Sequence, residues 1–270
     1  MKNAMEFLEA IERPEKPRKN GLTGVRDPGM GIRETEIFIE SAGRYVDWVK
    51  HRNMMPRWLE EDLFIAKNKL YTENQIGVLT GGIYCEMSYL QDKWDTALKY
   101  AIDCGITGME ISENYTVFSE AEKMRLVHDL RDNGIHCFFE WGVKKPEKPL
   151  DPETASKDIK RLIDEGVNHV IVEEGEIDIL LGIDGQSKNA HLLVALIDAV
   201  GIEHMMIEAI HSKQQAWLLK NYGTTVNIGP NVLTDEVLWL EANRRGMGRS
   251  VDYFGLDKWL EKTQRRRVDA

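Results

Sequence analysis

A glycine that precedes a short apolar run recurs along this chain, and this repeat limits the folds that the chain can adopt. The repeats are DCGITGMEIS, DNGIHCFFEWG, DEGVNHVIVEEG, AVGIEHMMIEA and NYGTTVNIG. Glycine readily adopts the left-handed conformation that closes a helix, so each repeat predicts a helix end followed by a β-strand. Three earlier runs, GLTGVRD, YVDWVK and IGVLTGG, bring the predicted strands to eight.

Segments with helical spacing of apolar residues separate these strands, among them MSYLQDKWDTALKYAID and ASKDIKRLIDE. Gly105, Gly134 and Gly166 follow one another at intervals of about 30 residues, which is the size of one strand-helix unit. Eight such units in 270 residues predict a single-domain (β/α)8 TIM barrel. An open doubly wound sheet is the alternative, but the chain has no GxGxxG after its first strand and no Walker-type loop.

The predicted barrel covers residues 21–260. Residues 1–20 are rich in Pro, Lys and Glu and are predicted to be an N-terminal extension, whereas residues 261–270 are predicted to be a solvated tail. No second domain is indicated.

Composition excludes several classes of function. No window is apolar enough for a membrane helix, and the polar N-terminus lacks the apolar core of a signal peptide, so we expect a cytoplasmic protein. Three cysteines without CxxC spacing indicate buried thiols rather than disulfides or a zinc site. A net charge of −10 argues against a general nucleic-acid surface. An anionic ligand would therefore need a local cluster of cations.

The predicted strands end in polar residues, and in TIM barrels the active site lies at these carboxyl ends. Five of the strand ends carry a carboxylate: Asp27, Glu110, Glu140, Glu173 and Glu208. Directing all five into one mouth would be unfavourable without a cation, and an oxygen-only ligand set favours Mg2+. The alternative is that some of them pair with lysines or cap the next helix.

Basic residues form three groups. Lys50, His51 and Arg52 end the second strand, Lys144 and Lys145 follow the fifth, and Arg244, Arg245 and Arg249 follow a helix after the eighth. Arginines near the last strands predict a phosphate site, although a favourable charge at a helix C-terminus is the alternative. Lys144, beside an acidic mouth, is predicted to be a proton donor or an anion clamp.

Several segments together resemble the phosphosulfolactate synthase family: KPRKNGLTGVRDPGM, YVDWVK, GMEIS, FFEWGVKKPEKP, VIVEEGE, MIEAIHSKQQAWLLKNYGTTVNIGPN and LEANRRGM. The similarity extends from about residue 16 to residue 255. Positions at which the family has the same residue are Asp27, Lys50, Glu110, Ser112, Glu140, Lys144, Glu173, Glu176, Glu208, Gln214, Gln215, Asn227, Glu241, Arg244 and Arg245. The resemblance implies a Mg2+-dependent barrel enzyme that adds sulfite to phosphoenolpyruvate on the way to coenzyme M.

The chain also departs from the family pattern. KHRNMMP replaces a Lys-Phe-Gly-Trp-Gly-Thr-Ser run, and Glu173-Glu174-Gly175-Glu176 replaces Glu-Gly-Arg-Glu, so an arginine is missing. Val143 replaces the first of two paired lysines, Ile83 ends the Gly-Gly-Thr turn, and MGRSVD replaces Leu-Arg-Gly-Asp-Thr.

The predicted site therefore has three parts. Lys144 and Lys50 are the predicted catalytic residues, with Lys144 as the acid; the five strand-end carboxylates are the predicted Mg2+ ligands; and the predicted substrate-binding residues are Ser112, Asn227, Arg244, Arg245 and Arg249. The expected partners are the small anions phosphoenolpyruvate and sulfite, and a homo-oligomer is expected, without nucleic acid or membrane. Two alternatives remain: a diverged barrel lyase or synthase acting on a different enolisable carboxylate, and a non-catalytic barrel that acts through protein contacts, like the family's plant heat-stress relatives.

Overall fold

Eight parallel strands form a closed barrel in the computed structural model, which describes residues 3–267. The strands are Thr23–Asp27 (β1), Trp48–His51 (β2), Gly77–Thr80 (β3), Gly108–Ile111 (β4), His136–Trp141 (β5), His169–Val172 (β6), Met205–Ile207 (β7) and Ile228–Val232 (β8). Each strand pairs with the next, and β8 pairs with β1. The predicted TIM barrel is confirmed.

Helices cover the outside of the barrel. They are Ile32–Ala42 (α1), Glu61–Glu73 (α2), Gly82–Leu90 (α3), Trp94–Asp103 (α4), Glu120–Asp132 (α5), Pro152–Glu165 (α6), Glu174–Leu181 (α7), Ala190–Val200 (α8), Ser212–Tyr222 (α9), Val237–Arg244 (α10) and Asp257–Lys262 (α11). The ends of α6 show how local sequence sets these bounds. Asp151 caps its first turn, and Gly166, at a φ of 118°, ends it in the left-handed region that favours glycine. Among the helices in residues 3–267, none is long and apolar enough to cross a membrane.

The core has two layers, because successive strand side chains point to opposite faces of the sheet. The outer layer lies between the strands and the helices and contains the three cysteines, which are buried and unpaired as predicted. The inner layer fills the barrel with Leu22, Leu79, Phe138, Ile171 and Met206. This apolar layer separates the two ends of the barrel.

The N-terminal segment closes the end of the barrel where the strands begin. Arg13 contacts Glu241 and the carbonyl of Gly21, and Arg18 donates to Asp47 at 2.8 Å. Both arginine side chains are almost completely buried. Arg13 and Arg18 therefore anchor the predicted extension over residues 1–20 to the barrel.

The C-terminal segment also makes contacts. Residues 261 and 262 belong to α11, and Arg267 pairs with Asp257. Residues 268–270 of the predicted tail lie outside the described residues.

Candidate active site

Three buried carboxylates converge at the end of the barrel where the strands finish. Glu140 lies in β5, and Glu173 and Glu208 directly follow β6 and β7. Each offers an oxygen within 4.8 Å of the others. Glu140 faces the mouth because it is two residues after Phe138, which points into the barrel interior.

This proximity changes the acidity of the three groups. Burial raises the pKa of Glu208 to about 7, with further contributions from the charges of Glu140 and Glu110. Burial, followed by the charge of Glu173, raises the pKa of Glu140. Burial and the charge of Glu208 likewise raise the pKa of Glu173. Without a bound metal ion, this crowding therefore favours the protonated forms of the three carboxyl groups.

Lys50 is the buried cation of this mouth. Its ammonium lies 2.6 Å from Oε2 of Glu110, whose Oε1 accepts the backbone N–H of Gly82 at 2.8 Å. Burial alone would lower the pKa of Lys50, but the charges of Glu110, Glu208 and Glu140 outweigh it and raise that pKa above its ordinary value. Lys50 is therefore a fixed positive charge at neutral pH.

Lys144 is the exposed cation of this mouth. Its Nζ lies 3.0 Å from Glu173 and 3.6 Å from Glu140, while its side chain remains 56% exposed. Burial opposes its charge, but Glu140 and Glu173 prevail and raise the pKa of Lys144. The lysine is thus protonated and can reach a molecule in the mouth.

The loop that carries Lys144 rests on the first turn of α7. Glu176 accepts the backbone N–H of Val143 at 3.1 Å, and a Cβ atom at Gly175 would collide with the carbonyl of Lys144. Glycine at this position therefore allows the loop backbone to approach the helix closely.

The carboxylate triplet satisfies the chemical requirements of a hard divalent cation. Oε2 of Glu173 and Oε2 of Glu208 are buried and have no hydrogen-bond partner among the described residues. Unpartnered buried carboxylate oxygens are unfavourable, and Mg2+ takes oxygen ligands of this kind. The residues that fit Mg2+ are therefore Glu140, Glu173 and Glu208.

Asp27 and Glu110, also predicted as metal ligands, have other partners. Asp27 pairs with Lys67 at 2.7 Å and accepts bonds from Tyr71 and from the backbone of Gly29. Glu110 is held by Lys50 and Gly82, as described above. Neither belongs to the converging triplet, so of the five predicted metal ligands the structure brings together Glu140, Glu173 and Glu208.

Ser112 does not face the mouth as a free hydroxyl. It is fully buried and donates to Glu86 at 2.5 Å. Glu86 also accepts the backbone N–H groups of Asn114 and Tyr115, at 2.9 and 2.7 Å. Ser112, which was predicted to bind substrate, therefore has a structural contact instead. It orients the carboxylate of Glu86, and Glu86 holds the loop after β4.

Asn227 lies at the opposite end of the barrel. It precedes β8, accepts the N–H of Leu22 at 2.9 Å and donates to the carbonyl of Met205 at 2.9 Å. Asn227 was predicted to lie at the end of the eighth strand, but β8 begins after it and continues past Pro230 to Val232. The residue that reaches the mouth is instead Asn231, which donates to Glu208.

Arg244 and Arg245 also lie at the opposite end. Arg244 is 0% exposed and donates to the carbonyls of Val226 and Leu22, at 2.6 and 3.4 Å. Arg245 donates to the carbonyl of Ile11 at 2.7 Å, and Arg249 is exposed in the segment after α10. Arg244 and Arg245, which were predicted to bind phosphate, therefore lie at the face where the strands begin and not at the mouth.

A cavity of about 670 Å3 opens at this mouth, and Glu140 is the member of the triplet that lines it. Lys50, Arg52, Glu110 and Lys144 also line it, together with Arg26, Glu86 and Asn231, which were not predicted as site residues. Their position at strand ends could have identified Arg26 and Asn231, but Glu86 lies within α3 and carries no such signal. The cavity therefore combines a carboxylate floor with basic residues around it.

Comparison with known proteins gives a consistent result. Residues 11–249 match the family described as (2R)-phospho-3-sulfolactate synthase (ComA). The phosphosulfolactate synthase of Methanocaldococcus jannaschii is 30% identical over 247 residues, covering 89% of this chain and 97% of that protein. The enzyme of the same name from Methanothermobacter thermautotrophicus is 29% identical over 249 residues, covering 91% and 96%.

A solved structure agrees in fold alone. The HMG-CoA lyase of Bacillus subtilis has a TM-score of 0.54 and 13% identity, covering 93% of this chain and 96% of that one.

Proposed function

The chain belongs to the phosphosulfolactate synthase family, and from this we propose that it adds sulfite to phosphoenolpyruvate at the barrel mouth, giving 2-phospho-3-sulfolactate. The observation that carries the proposal is the convergence of Glu140, Glu173 and Glu208 beside two lysines. An acidic triplet that can hold a cation, with lysines beside it, suits addition to an unsaturated carboxylate, because negative charge develops on that carboxylate.

The three carboxylates would hold Mg2+. The bound ion would supply positive charge opposite the substrate carboxylate as electrons move into it. This role explains why two buried carboxylate oxygens lack a protein partner.

The chain's own residues perform the remaining steps. The sulfur lone pair of sulfite attacks the methylene carbon of phosphoenolpyruvate, and the electrons of the double bond move towards the carboxylate. Lys50, which is buried, positively charged and held by Glu110, stabilises the negative charge that develops on the substrate carboxylate. Lys144 then donates its proton to the carbon that bears the phosphate, which completes the carbon-sulfur adduct.

The phosphate would be met by Arg26 and Arg52. Both line the mouth cavity, whereas Arg244 and Arg245 do not. A guanidinium matches phosphate oxygens through paired hydrogen bonds.

A second candidate is a related addition to a carboxylate without phosphate. The observation in its favour is the contact between Gly175 and the carbonyl of Lys144, which leaves no room for an arginine side chain at that position. An enzyme of this type would keep the acidic triplet and lose part of its phosphate recognition.

The test is incubation of the purified protein with phosphoenolpyruvate, sulfite and Mg2+ under anaerobic conditions, with detection of the adduct by mass spectrometry. The same incubation with a phosphate-free unsaturated carboxylate tests the second candidate. Glu173→Gln is the control, because it removes one metal ligand at constant shape. If neither mixture gave an adduct while an established family enzyme did so in parallel, both proposals would be wrong.

A further inference from the structure

A second cavity, which we term the side crevice, lies outside the barrel between the strands and the helices α2, α3 and α4. Its volume is about 440 Å3; its walls include Leu59, Phe64, Tyr84, Tyr100, Ala101 and Ile106, and the exposed residues Arg57 and Glu61 also line it. Protein interiors are normally packed without voids of this size. A crevice this large is within the range of small-molecule sites.

One polar group in the side crevice is left without a partner. Thr80 is 7% exposed, and its hydroxyl has no hydrogen-bond partner among the described residues. By contrast, the hydroxyl of Tyr84, on the same wall, donates to the carbonyl of Ala97 at 2.8 Å. A buried hydroxyl without a partner is unfavourable, so the crevice carries one unused polar contact within an apolar wall.

One ring nitrogen of the other buried neighbour, His51, is already used. Nε2 of His51 bonds Asn68 at 2.7 Å, and the imidazole packs against Phe64 with ring centroids 4.8 Å apart. His51 therefore presents mainly ring surface to the crevice. The walls suit a flat apolar molecule, and Thr80 suits one oxygen on it.

We propose that the side crevice is a second binding site, for a small aromatic or alicyclic molecule that carries one hydroxyl or carbonyl group. At roughly 30 Å3 for each water-sized group, the volume admits up to about fifteen non-hydrogen atoms. The ligand stacks between the aromatic walls and pairs its oxygen with Thr80. This site is distinct from the proposed reaction at the mouth, although Asn53 and Met54 line both cavities.

The experiment compares two probes, 2-naphthol and naphthalene, titrated into the full-length protein and followed by probe fluorescence and by NMR. Thr80→Val should weaken 2-naphthol about fivefold, the loss expected for one hydrogen bond, and leave naphthalene unchanged. Thr72→Val is the matched control, because that hydroxyl bonds the carbonyl of Asn68 away from the crevice. Ala101→Leu, which fills the crevice, should weaken both probes tenfold or more.

Two results would overturn the proposal. The first is no binding of 2-naphthol at concentrations up to about 1 mM. The second is unchanged binding in both Thr80→Val and Ala101→Leu, which would place the probes elsewhere. Because Thr80→Val removes an unpaired hydroxyl, that variant should fold even if Ala101→Leu does not.

Discussion

The ammonium nitrogen of Lys144 lies 3.0 Å from Oε1 of Glu173, a carboxylate that also belongs to the converging triplet. Glu173 would therefore contact both the proposed metal ion and the proposed acid, Lys144. An ion in the triplet would compete with Lys144 for Glu173 and free the lysine to approach a substrate.

Lys144→Ala should reduce turnover about 100-fold or more, because proton delivery requires one ammonium near one carbon. Lys144→Arg should not restore activity, since a guanidinium keeps the charge but does not readily release a proton. Lys145→Ala, on an exposed neighbour, is the control and should have little effect. Turnover of Lys144→Arg at the parent rate would instead identify Lys144 as an anion clamp.

Mg2+ should raise the melting temperature of the protein, because a ligand bound only by the folded state stabilises it. Each kcal/mol of binding free energy corresponds to about 2–4 °C in a chain of this size. Glu208→Gln should stabilise the metal-free protein by removing a buried negative charge, and it should lose the response to Mg2+. Glu203→Gln, on an exposed carboxylate, is the control. A Glu208→Gln protein that responds to Mg2+ like the parent would place the ion elsewhere.

His136 and His169 should make the fold sensitive to acid. They contact at 2.8 Å, and burial lowers the pKa of His136 to about 3 and that of His169 to about 4. Between pH 4 and 6.5 the unfolded chain therefore binds more protons than the folded one, so the free energy of unfolding falls as pH decreases.

The expected loss between pH 7.5 and 4.5 is roughly 5 kcal/mol from this pair. Urea unfolding at the two pH values measures it. The difference should shrink in His136→Gln/His169→Asn and stay unchanged in His191→Gln, whose imidazole is exposed. Equal pH dependence in all three proteins would contradict the assignment.

Lys67→Met should destabilise the fold by about 3–5 kcal/mol, because it leaves the buried charge of Asp27 without its partner. The double variant Asp27→Asn/Lys67→Met should recover much of this loss. Chemical denaturation measures both free energies of unfolding. In thermal unfolding, the double variant should also keep the melting-temperature response to Mg2+. Loss of that response would return Asp27 to the set of metal ligands.

Arg244→Met should lower the free energy of unfolding by about 3 kcal/mol, since buried carbonyls would lose a charged donor. Its KM for phosphoenolpyruvate should not change. Arg52→Met, at the mouth, should do the reverse and raise KM about tenfold with little loss of stability. Steady-state kinetics and urea unfolding on both variants separate the two roles.

The barrel and the main elements of its mouth followed from the sequence. Apolar strands between glycine-terminated helices predicted eight parallel units, and in such a sheet the carboxyl ends of the strands must meet at one face. That topology alone brought Glu140, Glu173 and Glu208 to the same mouth as Lys50 and Lys144. These positions depend on local patterning and chain connectivity, which a sequence records directly.

Partner choice was decided only by the tertiary structure. Asp27 is bonded to Lys67, Ser112 to Glu86, and Arg244 to carbonyls at the far end of the barrel. Which polar groups satisfy one another depends on where helices cross the sheet and how far a strand extends, as β8 does past Pro230. These distances arise from packing between residues that are remote in the chain, so residue type and spacing predicted charge at the mouth but not the partner of each charge.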